Sequence, residues 1–225
     1  MDEVLFASYE GRVHLLNKLR DGLERETVAA LAGTQHIDRI SFRVKSPKSF
    51  VKKVLDPRND PPYTEPLFEV EDQVAGRVIV FFIDDLDIVK GLLQDTFNTV
   101  LYKHRRPPLD AQFGYESHHL ICNIPPHVKP RGWNARDDLP PTFELQIRTI
   151  FMHAYAEPQH DIGYKSILDL PPDIRRELAW VAASSWGADQ AFRRVWEWYR
   201  SGLSDASRGA HHLDSTGTGG EQPDE

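Results

Sequence analysis

The 225-residue chain is 40% hydrophobic and carries a formal net charge of −7, enough apolar content for one independently folding domain with its own core. No apolar run approaches the roughly 20 residues that cross a bilayer, and the start MDEVLF is acidic where a signal peptide is basic, so a cytoplasmic protein without membrane association is expected. The single cysteine, Cys122, excludes an internal disulfide framework and a Cys-rich zinc site, and its apolar surroundings mark it as a buried thiol.

From Tyr9 to Leu31 the apolar residues Tyr9, Val13, Leu16, Leu19, Leu23, Ala30 and Leu31 recur mostly every three or four positions, which predicts one amphipathic helix that serves packing. Gly33 closes it, and the following strand alternates Ile40, Phe42 and Val44 with Ser41, Arg43 and Lys45. Pro47 suits the first turn of a helix, whose exposed amides and lysines (Lys48, Lys52, Lys53) favour an anion. The segment FRVKSPKSFVKK, from Phe42 to Lys53, is thus basic and free of acids in an acidic chain. Between Asp56 and Pro66, DPRNDPPYTEP forbids regular structure and predicts a loop. The run Val78–Ile83 is apolar on both faces, as in a covered central strand, and Asp72 and Arg77 stand before it.

Leu86–Phe97 reads as a helix, and LYKHRRPPLDAQ as a basic, proline-broken connection. Gly114 opens a strand that places Tyr115, Ser117 and His119 on one side. In FELQIRT, Phe143, Leu145 and Ile147 face a core, while Glu144, Gln146 and Arg148 point the other way, each about 7 Å from the next. A helix follows from near Ile150. His153, Glu157 and His160 share one of its faces and could form a metal-binding trio, but Pro158 disturbs the turn that must align them, so a polar helix face is expected. In the helical region 172–200, Val181, Ala188, Phe192, Val195 and Tyr199 fit a buried stripe, and Trp186, Trp196 and Trp198 are surplus aromatic surface of the kind that forms interfaces. From Ser201 onward five acids stand against Arg208 in a Gly-, Ser- and Asp-rich stretch, predicting a disordered acidic tail over 201–225.

Polar outer rows on three strands become one site if a sheet aligns them. Asp72 and Glu144 could then share a Mg²⁺, which prefers carboxylate oxygens and leaves places for phosphates. Lys45, Lys48 and Lys53 would neutralise those phosphates, and Tyr115 offers a ring for stacking a base.

The motifs RVKSPKSFVKK, DQVAGR, GYESHH and ELQIRT, followed by MHAYAEPQHDIGYK, occur in this order over about 39–166, and in this they resemble the RelA/SpoT-type alarmone synthetase domain. The resemblance implies an α/β (α+β) fold, a mixed sheet of nucleotidyltransferase type with flanking N- and C-terminal helices, in a single domain over 1–200. It implies transfer of the β,γ-pyrophosphate of ATP to the 3′-hydroxyl of GDP or GTP, with release of AMP. By position, Arg43 and Arg77 would sandwich the adenine, and Lys45, Ser49 and Lys53 would hold the ATP phosphates. Asp72 and Glu144 would bind Mg²⁺, with Glu144 also the base for the acceptor hydroxyl. Tyr115 would stack on the acceptor base, with Ser117, His119, Gln146, Arg148 and Lys165 completing that pocket. Two departures concern the acceptor: RRPPLDAQFGY replaces a Lys-Asp pair and a further lysine common in the family, and Gln159 stands where related small synthetases often have Glu. The resemblance is to a small, stand-alone synthetase. It leaves open the family's toxin branch, which modifies the 3′ end of tRNA and would have an antitoxin partner. A noncatalytic nucleotide sensor is a third reading, opposed by the intact Asp72 and Glu144. Homo-oligomerisation through the C-terminal helices is also expected.

Overall fold

Residues 2–109, 112–163 and 170–214 are described by the computed structural model of the protein. Five strands form one sheet in the order β1-β2-β5-β4-β3: β1 (Ile37–Val44), β2 (Val74–Val80), β3 (Thr99–Arg105), β4 (Ser117–Asn123) and β5 (Thr142–Thr149). Strands β2 and β5 run parallel and the other neighbours antiparallel, giving the expected mixed α+β sheet. The central β5 has its predicted two faces. Phe143, Leu145 and Ile147 are fully buried against the core, where Leu16, Leu19 and Leu23 of α2 (Val13–Ala30) and Val89 and Leu93 of α5 (Asp85–Thr96) meet them. With that face sealed, alternation forces Glu144, Gln146 and Arg148 onto the opposite one.

The remaining helices are α1 (Asp2–Glu10), α3 (Pro47–Val54), the short α4 (Pro66–Glu69), α6 (Ile150–Gly163) and α7 (Pro172–Asp214). Four expectations need correction. The helix predicted over 9–31 is two helices, because Gly11 and Arg12 break the run and Arg12 becomes the N-cap of α2 with its side chain turned into the interior. The strand expected to be central over 78–83 is β2, 74–80, second from the edge, and Phe81–Ile83 leave the sheet, Phe82 stacking on Trp196 at 4.9 Å. The stretch read as a basic connection forms β3, an edge strand whose Lys103, His104 and Arg105 are the charges such strands carry against unwanted pairing. Helix α7 continues past Ser201 to Asp214, into the stretch expected as a disordered tail, whose remainder, 215–225, lies outside the described residues.

The stripe predicted on α7 is also displaced. Val181, Phe192, Val195 and Tyr199 are exposed, whereas the seated residues are Ala182 and Asp189, with Trp196 half-buried two turns further on. Asp189 accepts a 2.8 Å hydrogen bond from Thr149 Oγ1, which itself accepts from the Met152 amide, so a carboxyl ties α7 to the junction of β5 and α6. Pro158 lies inside α6 without ending it.

Two predictions follow from the packing. Gly76 lies opposite Leu145 in β5, and a Cβ there would stand 2.6 Å from Leu145 Cδ2 and closer still to the Phe42 ring. Gly76→Ala should therefore lower unfolding free energy by about 1–3 kcal/mol, read as a reduced urea midpoint, with an unchanged midpoint contradicting the packing account. Burial pushes the Asp189 carboxyl up to about 6 against the favourable Thr149 bond. A raised carboxyl pKa contributes stability at low pH that is lost as pH rises through the folded value. Asp189→Asn should accordingly melt above the wild type at pH 7.5 and lose that advantage near pH 4.

Candidate active site

Register decides what shares the polar face. Arg43 pairs with Ala75, Ser41 with Arg77, Ala75 with Glu144 and Arg77 with Gln146, so two arginines flank the small Ala75 beside the centre of the sheet. Ser41, Arg43, Ala75, Arg77 and Gln146 line a groove of about 220 Å³. On the far side of β5, His119 pairs with Gln146 and Lys103 with His119.

Asp72 lies in the irregular turn before β2, with φ −96° and ψ 28°. Its oxygens take Lys45 Nζ at 2.7 Å and Lys53 Nζ at 2.8 Å. Burial would raise its pKa, but the two lysines overcome that and hold it below the usual carboxylate range. Lys45 stands just before α3 and Lys53 in its last turn, and the helix is started by Pro47 at N1 and by Ser46 as N-cap, which accepts from the Ser49 amide at 3.2 Å. Ser49 is thus drawn into the cap, its hydroxyl accepting from Ser46 at 2.9 Å. Lys48 is exposed on the same helix.

Glu144 belongs to a closed hydrogen-bonded ring. Gln146 Nε2 donates to Glu144 Oε2 at 2.9 Å, Arg148 Nη2 donates to Gln146 Oε1 at 2.8 Å and to Tyr115 Oη at 2.5 Å, Tyr115 meets His119 Nε2 at 3.1 Å, and His119 Nδ1 meets Glu144 Oε1 at 2.6 Å. A guanidinium only donates, so Tyr115 accepts from Arg148 and its own proton points to His119 Nε2. That assigns the Nδ1 hydrogen to Glu144, an assignment made from the network. Burial works to raise the Glu144 pKa, and the His119 and Gln146 bonds bring it below its ordinary value despite the nearby negative Asp72. Ser117, fully buried, accepts from Arg148 Nε at 3.1 Å.

All the sequence-predicted site residues within the described part of the chain therefore lie on or beside one face, and Lys165 falls outside the described residues. Of the conceivable metal trio on α6, His153 Nδ1 lies 3.7 Å from Glu157 Oε1, Glu157 also pairs with Arg77 at 2.9 Å and Arg148 at 3.5 Å, and the His160 side chain lies outside those described. Among the described residues no cluster of three potential metal-ligating side chains occurs. Asp72 and Glu144 nevertheless suit a hard divalent cation: both are ionised oxygen donors close enough to affect each other's charge, and phosphate oxygens would complete the coordination. Arg77 Nε is buried without a hydrogen-bond partner and Arg148 Nη1 has only the longer ion pair to Glu157, as expected where an anionic ligand is to be received.

Sequence reasoning missed two features. Lys103 reaches Glu71 at 2.9 Å, beside Asp72, a contact hidden by reading β3 as a loop. Arg105 and Arg106 line a cavity of about 720 Å³ with Gln112, Phe113 and Tyr115, closed on one side by Ala179 of α7. The alternation from Thr99 to Arg105, with Thr99, Val100 and Tyr102 as strand formers, was the signal available.

Comparison with known proteins gives the class first: the fold is that of small alarmone synthetases. A structure of a GTP pyrophosphokinase family protein from Streptococcus pneumoniae superposes with a TM-score of 0.69 at 21% identity, covering 88% of this chain and 96% of that one. Small alarmone synthetase 1 from Bacillus subtilis, solved bound to its product pppGpp, gives 0.63 at 21% identity over 83% and 92% of the two chains. The GTP pyrophosphokinase YwaC of Bacillus subtilis is 29% identical over 147 residues, 65% of this chain and 67% of YwaC. Residues 42–168, more than half the chain, match the family model described as the region found in RelA / SpoT proteins, and the protein belongs to that family.

The ring around Glu144 yields a prediction. In His119→Phe the carboxylate loses its strongest hydrogen bond while burial remains, so Glu144 should titrate at higher pH, read from its side-chain ¹³C shift. An unchanged titration would remove His119 from the account.

Proposed function

We propose that the protein is a pyrophosphokinase that transfers the β,γ-pyrophosphate of ATP to the 3′-hydroxyl of GDP or GTP, making (p)ppGpp and AMP. The observation that carries this reading is the pairing of two ionised carboxylates, the part-buried Asp72 and the buried Glu144, on one face with Lys45, Lys53, Arg43 and Arg77. The Bacillus relative's activity as a GTP pyrophosphokinase and the family membership support it.

In this reading the groove between Arg43 and Arg77 takes the adenine, both guanidinium groups packing against its faces. Lys45, Ser49 and Lys53 hold the triphosphate, and the two lysines exchange Asp72 for phosphate oxygens as it arrives. Asp72 and Glu144 would hold Mg²⁺, which when bound supplies Lewis-acid stabilisation of the transferring group. Glu144, aligned by His119, accepts the proton of the acceptor 3′-hydroxyl. The freed oxygen attacks the β-phosphorus, the bond from that phosphorus to the α,β-bridging oxygen breaks, and AMP leaves carrying the electron pair. Tyr115 stacks on the acceptor base, with Arg148 already 5.0 Å from its ring centroid, and Ser117, Gln146, Arg148 and Lys165 complete the pocket.

A nucleotide acceptor is favoured over tRNA on electrostatic grounds. A tRNA backbone needs an extended cationic track, and of the candidates Lys103, Arg105 and Arg106 the first is already paired with Glu71. No helix among the described residues is long and apolar enough to cross a membrane, and a reaction that consumes ATP and GTP belongs in the cytoplasm. The exposed Val181, Phe192, Val195, Trp198 and Tyr199 of α7 suit a second copy of the chain, so light scattering should report an oligomer.

Asp72→Asn and Glu144→Gln should each abolish transfer while circular dichroism stays native, since neither carboxylate serves the core; near-normal turnover in either would remove it from the metal site. Tyr115→Ala should weaken the acceptor while leaving a nonhydrolysable ATP analogue nearly unaffected, and Arg43→Ala should do the opposite, stacking being worth about 1–3 kcal/mol. With γ-labelled ATP and Mg²⁺, label should pass to GDP or GTP in preference to tRNA. Label on tRNA alone would overturn the acceptor assignment and keep the chemistry.

A further inference from the structure

Arg12 is the largest fully buried side chain among the described residues, yet none of them forms an ion pair with it; the Asp138 carboxylate acts on it from further off and is itself paired with Arg136. One guanidinium nitrogen donates to the Asp138 carbonyl and the other to Gln73 Oε1 at 3.0 Å, while Nε has no partner. The group lies 5.1 Å from the Tyr9 ring centroid and 5.9 Å from that of Phe50, two rings stacked at 4.0 Å. A buried cation without a direct ion pair costs several kcal/mol, so an apolar chain of similar volume would serve packing better. What the guanidinium adds is a fork of donors joining the α1–α2 junction to two loops.

One of those loops carries Asp72. Gln73, also fully buried, donates from Nε2 to the carbonyls of Leu67 (2.8 Å) and Val70 (3.0 Å), closing the turn in which Asp72 sits. The Gln73 carbonyl accepts the Lys45 amide at 2.9 Å, and the Lys45 carbonyl accepts Tyr9 Oη at 2.9 Å. Asp72 and its partner Lys45 are thus both fixed through their backbones by residues that Arg12 touches. The two lysines hold the Asp72 carboxylate from outside, whereas the irregular turn, with no regular ladder of its own, depends on the Gln73 side chain for its backbone geometry.

We propose that Arg12 is a positioning residue for Asp72, acting through Gln73, and that Tyr9 fixes Lys45 in the same assembly, so that the N-terminal helices set metal affinity at a site they do not line. This rests on the reading of Asp72 as a metal-binding carboxylate. The test uses the full chain carrying Arg12→Met, Arg12→Lys or Tyr9→Phe. Mn²⁺ is titrated by electron paramagnetic resonance in the presence of a nonhydrolysable ATP analogue, alongside melting temperature and the Mg²⁺ dependence of turnover. Arg12→Met should raise the Mn²⁺ Kd at least tenfold, the usual effect of losing an outer partner of a metal ligand, and shift the Mg²⁺ activation curve equally, with the acceptor KM unchanged. Arg12→Lys should recover part of the loss. Tyr9→Phe removes one hydroxyl, keeps the fold and should shift the same readouts by about threefold, which carries the test where Arg12→Met fails to fold. Variants that melt lower but bind Mn²⁺ and respond to Mg²⁺ as the wild type does would overturn the proposal and leave the metal reading standing. A wild type that binds no Mn²⁺ would overturn both.

Discussion

Asp72 stands between two ammonium groups at 2.7 and 2.8 Å, and Glu144 between an imidazole at 2.6 Å and an amide at 2.9 Å. Removed from water, a carboxylate tends to take up a proton, and these two would repel each other as well. Each remains charged because donors surround it, and those donors come from four places: Lys45 in the link after β1, Lys53 on α3, His119 on β4 and Gln146 on β5. The need to keep both negative charges therefore constrains where all those segments lie.

Packing on the opposite face meets that constraint. Phe143, Leu145 and Ile147 lock the register of β5, and Gly76 lets β2 approach under Phe42, which brings Ala75 level with Glu144. A slip of one residue would exchange the core row for the polar row, so the hydrophobic pattern fixes the site as firmly as the fold. At the rim, Glu157 of α6 draws Arg77 and Arg148 together, and Asp189 of α7 fastens to the end of the same strand. Of the cations proposed to receive the substrate, Lys45, Lys53, Arg77 and Arg148 are each held by a carboxylate meanwhile.

Much of this was legible in the sequence because the site is written in period two. FELQIRT, RISFRVK and YESHH each declare a polar row by alternation, and the sheet has only to align them. What was not legible depended on partners distant in the chain. Arg12 carried no signal within the helix expected over 9–31, since its partners Gln73 and Asp138 lie far away in sequence. Strand β3 was masked by its basic residues and the prolines after it, although an edge strand tolerates both. On α7 the small Ala182 and the polar Asp189 take the seated face, so a search for large apolar residues selected the exposed side. Pro158 was expected to disturb α6, yet the helix passes through it.

The most direct test is a crystal structure of the protein with Mg²⁺, a nonhydrolysable ATP analogue and GDP. The account predicts one divalent ion bound by both Asp72 and Glu144, Lys45 and Lys53 moved from Asp72 to phosphate oxygens, adenine between Arg43 and Arg77, and guanine against Tyr115. A triphosphate bound elsewhere, with both lysines still on Asp72, would contradict it.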